Sequence, residues 1–322
     1  MDITAIRELI ADDLTAIDKV IIHRLKSDVV LINQIGAHIV YSGGKRMRPL
    51  VVLLAARAFG YEGDKHCELA AVVEFIHTAT LLHDDVVDAS DKRRSQDTAN
   101  ALWGNSASVL SGDFLYSRSF EMMVDVGIMR VLDILSHASN QIAEGEVLQL
   151  LNCNNPDTTE AEYMKVIYRK TATLFEAGAK IGPVLVNAPP EQEQAMADYG
   201  KYLGTAFQLI DDVMDYSATS EEMGKNVGDD LAEGKPTLPL IRAMEKGTQE
   251  QKELIRNAIE HGGLDQIDAV TLAIESTDAI EYTAKIAQQE ADKAKAALKT
   301  IPPSRYRDAL ESLVDLAVNR SS

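Results

Sequence analysis

Two Asp-Asp-x-x-Asp boxes stand far apart in one chain, Asp84-Asp85-Val86-Val87-Asp88 and Asp211-Asp212-Val213-Met214-Asp215. Each follows an apolar run with helical spacing, residues 75–82 before the first and 206–210 before the second. On a helix, positions i and i+4 share a face, so Asp84 meets Asp88 and Asp211 meets Asp215. Like charges at that spacing repel, and burying them without a counter-ion is very costly. Two such pairs at the ends of core helices therefore point to a cation held between facing carboxylates. One box alone reads equally well as a solvated acidic helix end; two matching boxes do not. All-oxygen ligands select a hard ion, and Mg²⁺ is the first choice where phosphate is also present.

The bulk of the chain narrows its partners. A net charge of −18 excludes nucleic acid as the main one, because phosphate-backbone binding needs a basic surface. It leaves room for a phosphorylated small molecule if basic residues cluster locally. Cys67 and Cys153 are too few for a disulfide framework or a thiolate metal site. The start, Met1-Asp2-Ile3-Thr4-Ala5-Ile6-Arg7-Glu8, lacks the basic and apolar segments of a signal peptide. No uncharged apolar run reaches membrane-spanning length. The expectation is a soluble, cytoplasmic protein.

Prolines punctuate helical periodicity at positions 49, 156, 189, 190, 236, 302 and 303, and only Pro183 falls inside a helical stretch, where a kink or break is expected. Pro49 is suited to the first position of a helix over residues 50–54. Thr159 before Glu162 and Thr248 before Gln251 form capping boxes, and Gly262 ends the helix that Thr248 opens. No alternating strand pattern is present. The fold expected is all-α, roughly a dozen helices in one domain over residues 1–322. Residues 66–88 are apolar nearly all round, the mark of a central helix.

Basic clusters make the aspartates legible. Gly43-Gly44-Lys45-Arg46-Met47-Arg48-Pro49 puts three cations at the start of a helix, the wrong end of its dipole unless an anion binds there. Lys92-Arg93-Arg94 begins four residues after Asp88; alone it reads as a solvated loop, but directly beyond a metal box it reads as a set of diphosphate ligands. Lys170-Thr171, Lys225 and Gly234-Lys235-Pro236-Thr237 are individually weak signals. Asp229-Asp230 between Lys225 and Lys235 reads equally as a polar flap or a plain loop. His77 lies about two turns before Asp84; alone it is a core histidine, and beside Lys45 and Arg48 it becomes an anion ligand.

Taken in order, these marks resemble the trans-isoprenyl diphosphate synthases over nearly the whole chain. The residues that carry the resemblance are the Gly-Gly-Lys-Arg-x-Arg-Pro segment, both boxes, Arg93-Arg94, Lys170-Thr171, Phe207-Gln208 and Gly234-Lys235-Pro236-Thr237. Residues 75–85 and 143–150 are similar to the bacterial octaprenyl members. Ser95 departs from the glycine usual after the arginine pair. The resemblance implies one large helical bundle around a central cavity and a homodimer. It implies a Mg²⁺-dependent enzyme condensing isopentenyl diphosphate with an allylic prenyl diphosphate such as farnesyl diphosphate. The product would be a long all-trans polyprenyl diphosphate, octaprenyl, for a quinone side chain, released through transient membrane contact. By the same resemblance Asp84, Asp88 and Asp211 would bind Mg²⁺, with Asp85, Asp212 and Asp215 in support. Arg93, Lys170, Lys225 and Lys235 would hold the allylic diphosphate, and Lys45, Arg48, His77 and Arg94 isopentenyl diphosphate. Thr171 and Gln208 would lie near the reacting carbons.

A growing product is expected to run back along the first-box helix past Thr80, Ala79 and Ile76, with Met122 and Met123 as a floor. A terpene cyclase would need no second diphosphate set. A di-iron bundle would need a second Glu-x-x-His besides Glu74-Phe75-Ile76-His77. A non-catalytic partner subunit would have lost aspartates or lysines, and both boxes are complete.

Overall fold

Helix Lys65–Val87 buries His66, residues 69–73, Phe75, Ile76, Ala79 and Leu82. A helix apolar on every side has to be core, and each fully buried Leu, Ile or Val contributes about 1.5–3 kcal/mol. It packs against helices Ala11–Arg24, Met47–Ala58 and Asn105–Val126. Every residue from 49 to 56 is buried in its turn. These elements are seen in a computed structural model that describes residues 1–41, 44, 46–93, 96–217 and 228–319. Lys45, Arg94 and Lys225, all expected at the site, lie outside the described residues.

The chain divides into two compact units. Met1–Ser139, Leu174–Gly200 and Lys295–Leu313 form one; Asn140–Thr173, Lys201–Ala294 and Val314–Ser322 form the other. The first unit is built on the Lys65–Val87 helix. In the second, Tyr163, Ile167, Leu209, Ile210 and Leu238 share one apolar cluster. Leu240, Ile255, Ile259, Val270 and Ile274 share another. The fold is all-α, and no helix among the described residues is long and apolar enough to cross a membrane.

Both capping boxes form, with Thr159 and Thr248 each accepting from the third residue on and being capped in return. Gly262 closes the second of these helices at φ +71°. The helix carrying Pro183 ends two residues later at Leu185, and the Val186 and Ala188 N–H groups donate to the Pro183 carbonyl.

Two expectations need correction. The helix after the basic segment starts at Met47, so Pro49 is its third residue, not its first. Its missing N–H costs nothing there, because the first four N–H groups of a helix have no partner within it. A short antiparallel ribbon, Lys92–Arg93 with Gln96–Asp97, occupies what reads in sequence as a loop. Two residues a side are too few to leave an alternating pattern.

Candidate active site

The first box closes the Lys65–Val87 helix. Asp84 and Asp88 are half-buried, and the Asp88 N–H donates to the Asp84 carbonyl at 2.8 Å, so one turn of helix sets their spacing. Asp85 is buried, and there Arg93 donates to its Oδ1 from Nε at 2.8 Å and Nη2 at 2.7 Å. Burial pushes the Asp85 carboxyl above the usual carboxylate range, with Arg93 opposing the shift. The short ribbon is what turns Arg93 back onto the box. Asn100 donates to the Asp85 and Ser90 carbonyls and holds the turn between them.

A cavity of about 80 Å³ lies along this helix, lined by Phe75, Thr78, Leu81 and Leu82 with Arg46, His77, Asp85 and Arg93 also on its wall. Ile76, Ala79 and Thr80 are not among the lining residues. Ile76 and Ala79 are fully buried, as are Met122 and Met123 on the neighbouring Asn105–Val126 helix.

Arg48 and His77 come together as expected. Nη1 of Arg48 donates to Nε2 of His77 at 3.0 Å, and because a guanidinium cannot accept, His77 is the acceptor. The Arg48 guanidinium also lies 4.6 Å from the centre of the Phe175 ring. Arg46 does not join them. It sits at φ +48° just before the helix, with its guanidinium paired to Asp18. A left-handed conformation at a non-glycine residue is uncommon, and the side chain it carries here pairs with Asp18.

The second box belongs to the other unit, on helix Pro190–Ser217. Asp211 is half-buried, whereas Asp212 and Asp215 are 2 % exposed. Oδ2 of Asp212 accepts from the Tyr163 hydroxyl, and Oδ1 accepts from Gln208 Nε2 at 2.8 Å. Oε1 of Gln208 in turn accepts from the Thr171 hydroxyl at 2.9 Å. Burial, with the Asp230 carboxylate nearby, pushes Asp212 well above the ordinary range, and burial raises the Tyr163 phenol as well. Asp229 and Asp230 open a short helix, Asp229–Ala232. The Asp230 N–H donates to Asp215 Oδ2 at 3.3 Å, and the Lys235 N–H donates to the Asp230 carbonyl at 2.8 Å. Lys235 is buried with Nζ on Glu233 at 2.5 Å. Gly234, at φ +67°, permits this tight return, and a side chain there would strike Asn154 Oδ1 at 2.1 Å.

Lys170 and Thr171 lie in a π-helical turn, Tyr168–Ala172, between two α-helical stretches. Such turns insert one extra residue and re-aim side chains, frequently at functional sites. Here Lys170 Nζ meets Glu146 Oε2 at 2.7 Å and Gln149 Oε1 at 2.7 Å. Gly145 lets the two backbones approach, since a Cβ there would stand 2.8 Å from the backbone nitrogen of Lys170. Sequence reading assigned no role to Glu146, Gln149 or Tyr163. The i, i+3 spacing of Glu146 and Gln149 puts them on one helix face and is the signal that could have found them. Tyr163 leaves no such signal, because its partner Asp212 is distant in sequence.

Each unit thus offers a helix end with acidic oxygens flanked by cations. Purely oxygen donors, some half-exposed, suit a hard divalent cation, and the buried members of each box are already fixed by hydrogen bonds. Local cations beside carboxylates that can take a metal are what a diphosphate requires.

Comparison with known proteins agrees. The family model described as polyprenyl synthetase matches residues 29–276. The chain is 56 % identical over 321 residues to octaprenyl diphosphate synthase of Escherichia coli (strain K12), covering 99 % of each. It is 45 % identical to an all-trans-nonaprenyl-diphosphate synthase (geranyl-diphosphate specific) of Rhodobacter capsulatus, covering 97 % of this chain and 96 % of that one. A crystal structure of polyprenyl synthase from Caulobacter crescentus CB15, complexed with calcium and isoprenyl diphosphate, superimposes with a TM-score of 0.96 at 43 % identity, covering 100 % of this chain and 98 % of that one.

Proposed function

The chain belongs to the polyprenyl synthetase family, and we propose that it extends farnesyl diphosphate with successive isopentenyl diphosphates to all-trans octaprenyl diphosphate. The observation that carries this reading is that both aspartate boxes are intact in a chain 56 % identical, end to end, to an octaprenyl diphosphate synthase. Asp84 and Asp88 at one box and Asp211 at the other are assigned to a divalent cation, Mg²⁺. When bound, that ion supplies Lewis-acid neutralisation of the charge growing on the departing diphosphate.

The protein's own side chains do the rest. Arg93, Lys170, Lys225 and Lys235 hold the allylic diphosphate, with Lys170 exchanging Glu146 for phosphate oxygens while Arg93 keeps its pair with the buried Asp85. Lys45, Arg48, His77 and Arg94 hold isopentenyl diphosphate. The Phe175 ring, 4.6 Å from the Arg48 guanidinium, helps to hold that group in place. With both substrates anchored, the allylic C1–O bond breaks, the isopentenyl double bond attacks C1, and one proton leaves to regenerate an allylic diphosphate. The departed diphosphate accepts that proton. Thr171, buried beside Gln208, keeps water from the cationic carbon.

A product of another length is the second reading. It is favoured by a relative 45 % identical that carries a nonaprenyl name. Incubation with farnesyl and isopentenyl diphosphates, with and without a chelator, tests the assignment; the expected result is long-chain product that disappears on chelation and returns with Mg²⁺. We further assign the enzyme to the cytoplasm, to quinone side-chain supply with transient membrane contact for release, and to a homodimer. The dimer is supported by apolar surface on helices Ala99–Trp103 and Asn105–Val126, where Leu102 is 48 % and Leu110 65 % exposed.

A further inference from the structure

We propose that Tyr163 is a positioning residue for chain extension: through Asp212 it fixes the amide of Gln208, and thereby the direction in which the Thr171 hydroxyl points its proton. The proposal rests on the prenyl-transfer reading and adds a residue that belongs to neither aspartate box nor any basic cluster.

Tyr163 is 5 % exposed on helix Glu160–Ile167, whose start is fixed by the Thr159 capping box. The same stretch runs on through the π turn to Lys170 and Thr171. Its hydroxyl donates to one oxygen of Asp212, and the other oxygen accepts from Gln208 at 2.8 Å. Gln208 then accepts from Thr171 at 2.9 Å. Four side chains form a circuit closed by backbone on both sides, from 163 to 171 and from 208 to 212.

The two ends of an amide are nearly alike in shape and opposite in polarity. Which end Gln208 offers Thr171 is decided by what Asp212 offers Gln208. Tyr163 occupies one Asp212 oxygen and holds the second toward Gln208 as an acceptor. The Gln208 NH₂ turns to it, leaving the carbonyl for Thr171, whose hydroxyl must donate. The lone pairs of Thr171 are then free for positive charge developing on the allylic carbon. Without the Tyr163 hydroxyl the carboxyl can turn out of its fixed plane, its hold on the Gln208 amide loosens, and Thr171 can direct its proton at that carbon instead. In a site where Thr171 is 7 % exposed, water does not substitute for the lost order.

The test compares Tyr163→Phe, Thr171→Val and the double variant in steady-state extension of farnesyl diphosphate. Tyr163→Phe is expected to lower kcat about tenfold, with KM for both diphosphates changed by less than about twofold. In the Thr171→Val background the same change is expected to alter kcat by less than about twofold, because no hydroxyl remains to be oriented. An unchanged kcat for Tyr163→Phe, a loss confined to KM, or an equal loss in both backgrounds would overturn the proposal. The last is what a merely structural tyrosine gives, including one whose loss unfolds the chain. A wild-type chain that consumes no isopentenyl diphosphate would instead remove the prenyl-transfer reading, a result visible before any variant is made.

Discussion

Asp84 and Asp88 in the first box and Asp211 in the second are half-buried, whereas their neighbours Asp85 and Asp212 are sealed. Alanine at Asp84 or at Asp211 is expected to cut turnover on the order of 10²-fold or more by removing charge neutralisation in the transition state. Steady-state rates on variants with unchanged circular dichroism check this. Arg48→Ala should raise the KM for isopentenyl diphosphate about tenfold, the cost of one charge-assisted hydrogen bond. Arg93→Ala should impair the allylic substrate and also destabilise the fold, since it strands Asp85. Equal effects of the two on both substrates would break the assignment. Away from the site, Asp13 is buried with Arg57 donating to both its oxygens, at 2.8 and 2.6 Å, and His66 at 3.0 Å. Cys67 completes a group of metal-type side chains there, but the guanidinium already occupies the carboxylate and burial pushes the thiol up to about 12. Burial works to raise Asp13, and the hydrogen bonds from His66 and Arg57 overcome it and hold the carboxyl well below its usual range. A depressed folded pKa gives stability that is present above the unfolded value and lost as pH falls. Arg57→Ala should therefore cost about 3–5 kcal/mol near neutrality, and that gap should narrow below about pH 4. Denaturant melts at both pH values measure it; a pH-independent gap would contradict the pairing.

At the scale of elements, the Lys65–Val87 helix was legible because its apolar residues leave no polar face, and the two capping boxes because their side-chain pairs are local. The π turn was not. Tyr168–Ala172 owes its shape to Gly145 on another helix and to the Lys170 contacts with Glu146 and Gln149, none of them near it in sequence. Arg46 was equally opaque, since its partner is Asp18, far from it in sequence. Gly145→Ala should push the two helices apart at Lys170, costing about 1–3 kcal/mol of stability and lowering activity by more than that loss explains. Ala79, fully buried on the first-box helix, tests the path of the product. If the growing chain displaces its surroundings there, Ala79→Tyr should shorten the products by blocking extension while the first condensation survives. Mass spectrometry of the products decides; an unchanged spectrum from a folded variant contradicts that path.

Across the whole molecule, the all-α class and the identity of both boxes could be read from 322 residues alone. The partners of Arg93, Lys170 and Lys235 could not, because these ion pairs depend on packing and not on spacing. We propose one cooperative domain, as helices Met129–Asn152 and Pro190–Ser217 each contribute residues to both compact units. A single thermal transition by circular dichroism and calorimetry is the expected outcome. Light scattering should give twice the chain mass. The most direct measurement of the central claim is incubation of the purified chain with farnesyl diphosphate, isopentenyl diphosphate and Mg²⁺, with products read by mass spectrometry. The account predicts consumption of isopentenyl diphosphate and a ladder ending at octaprenyl diphosphate; no consumption, or release of a cyclised hydrocarbon, would contradict it.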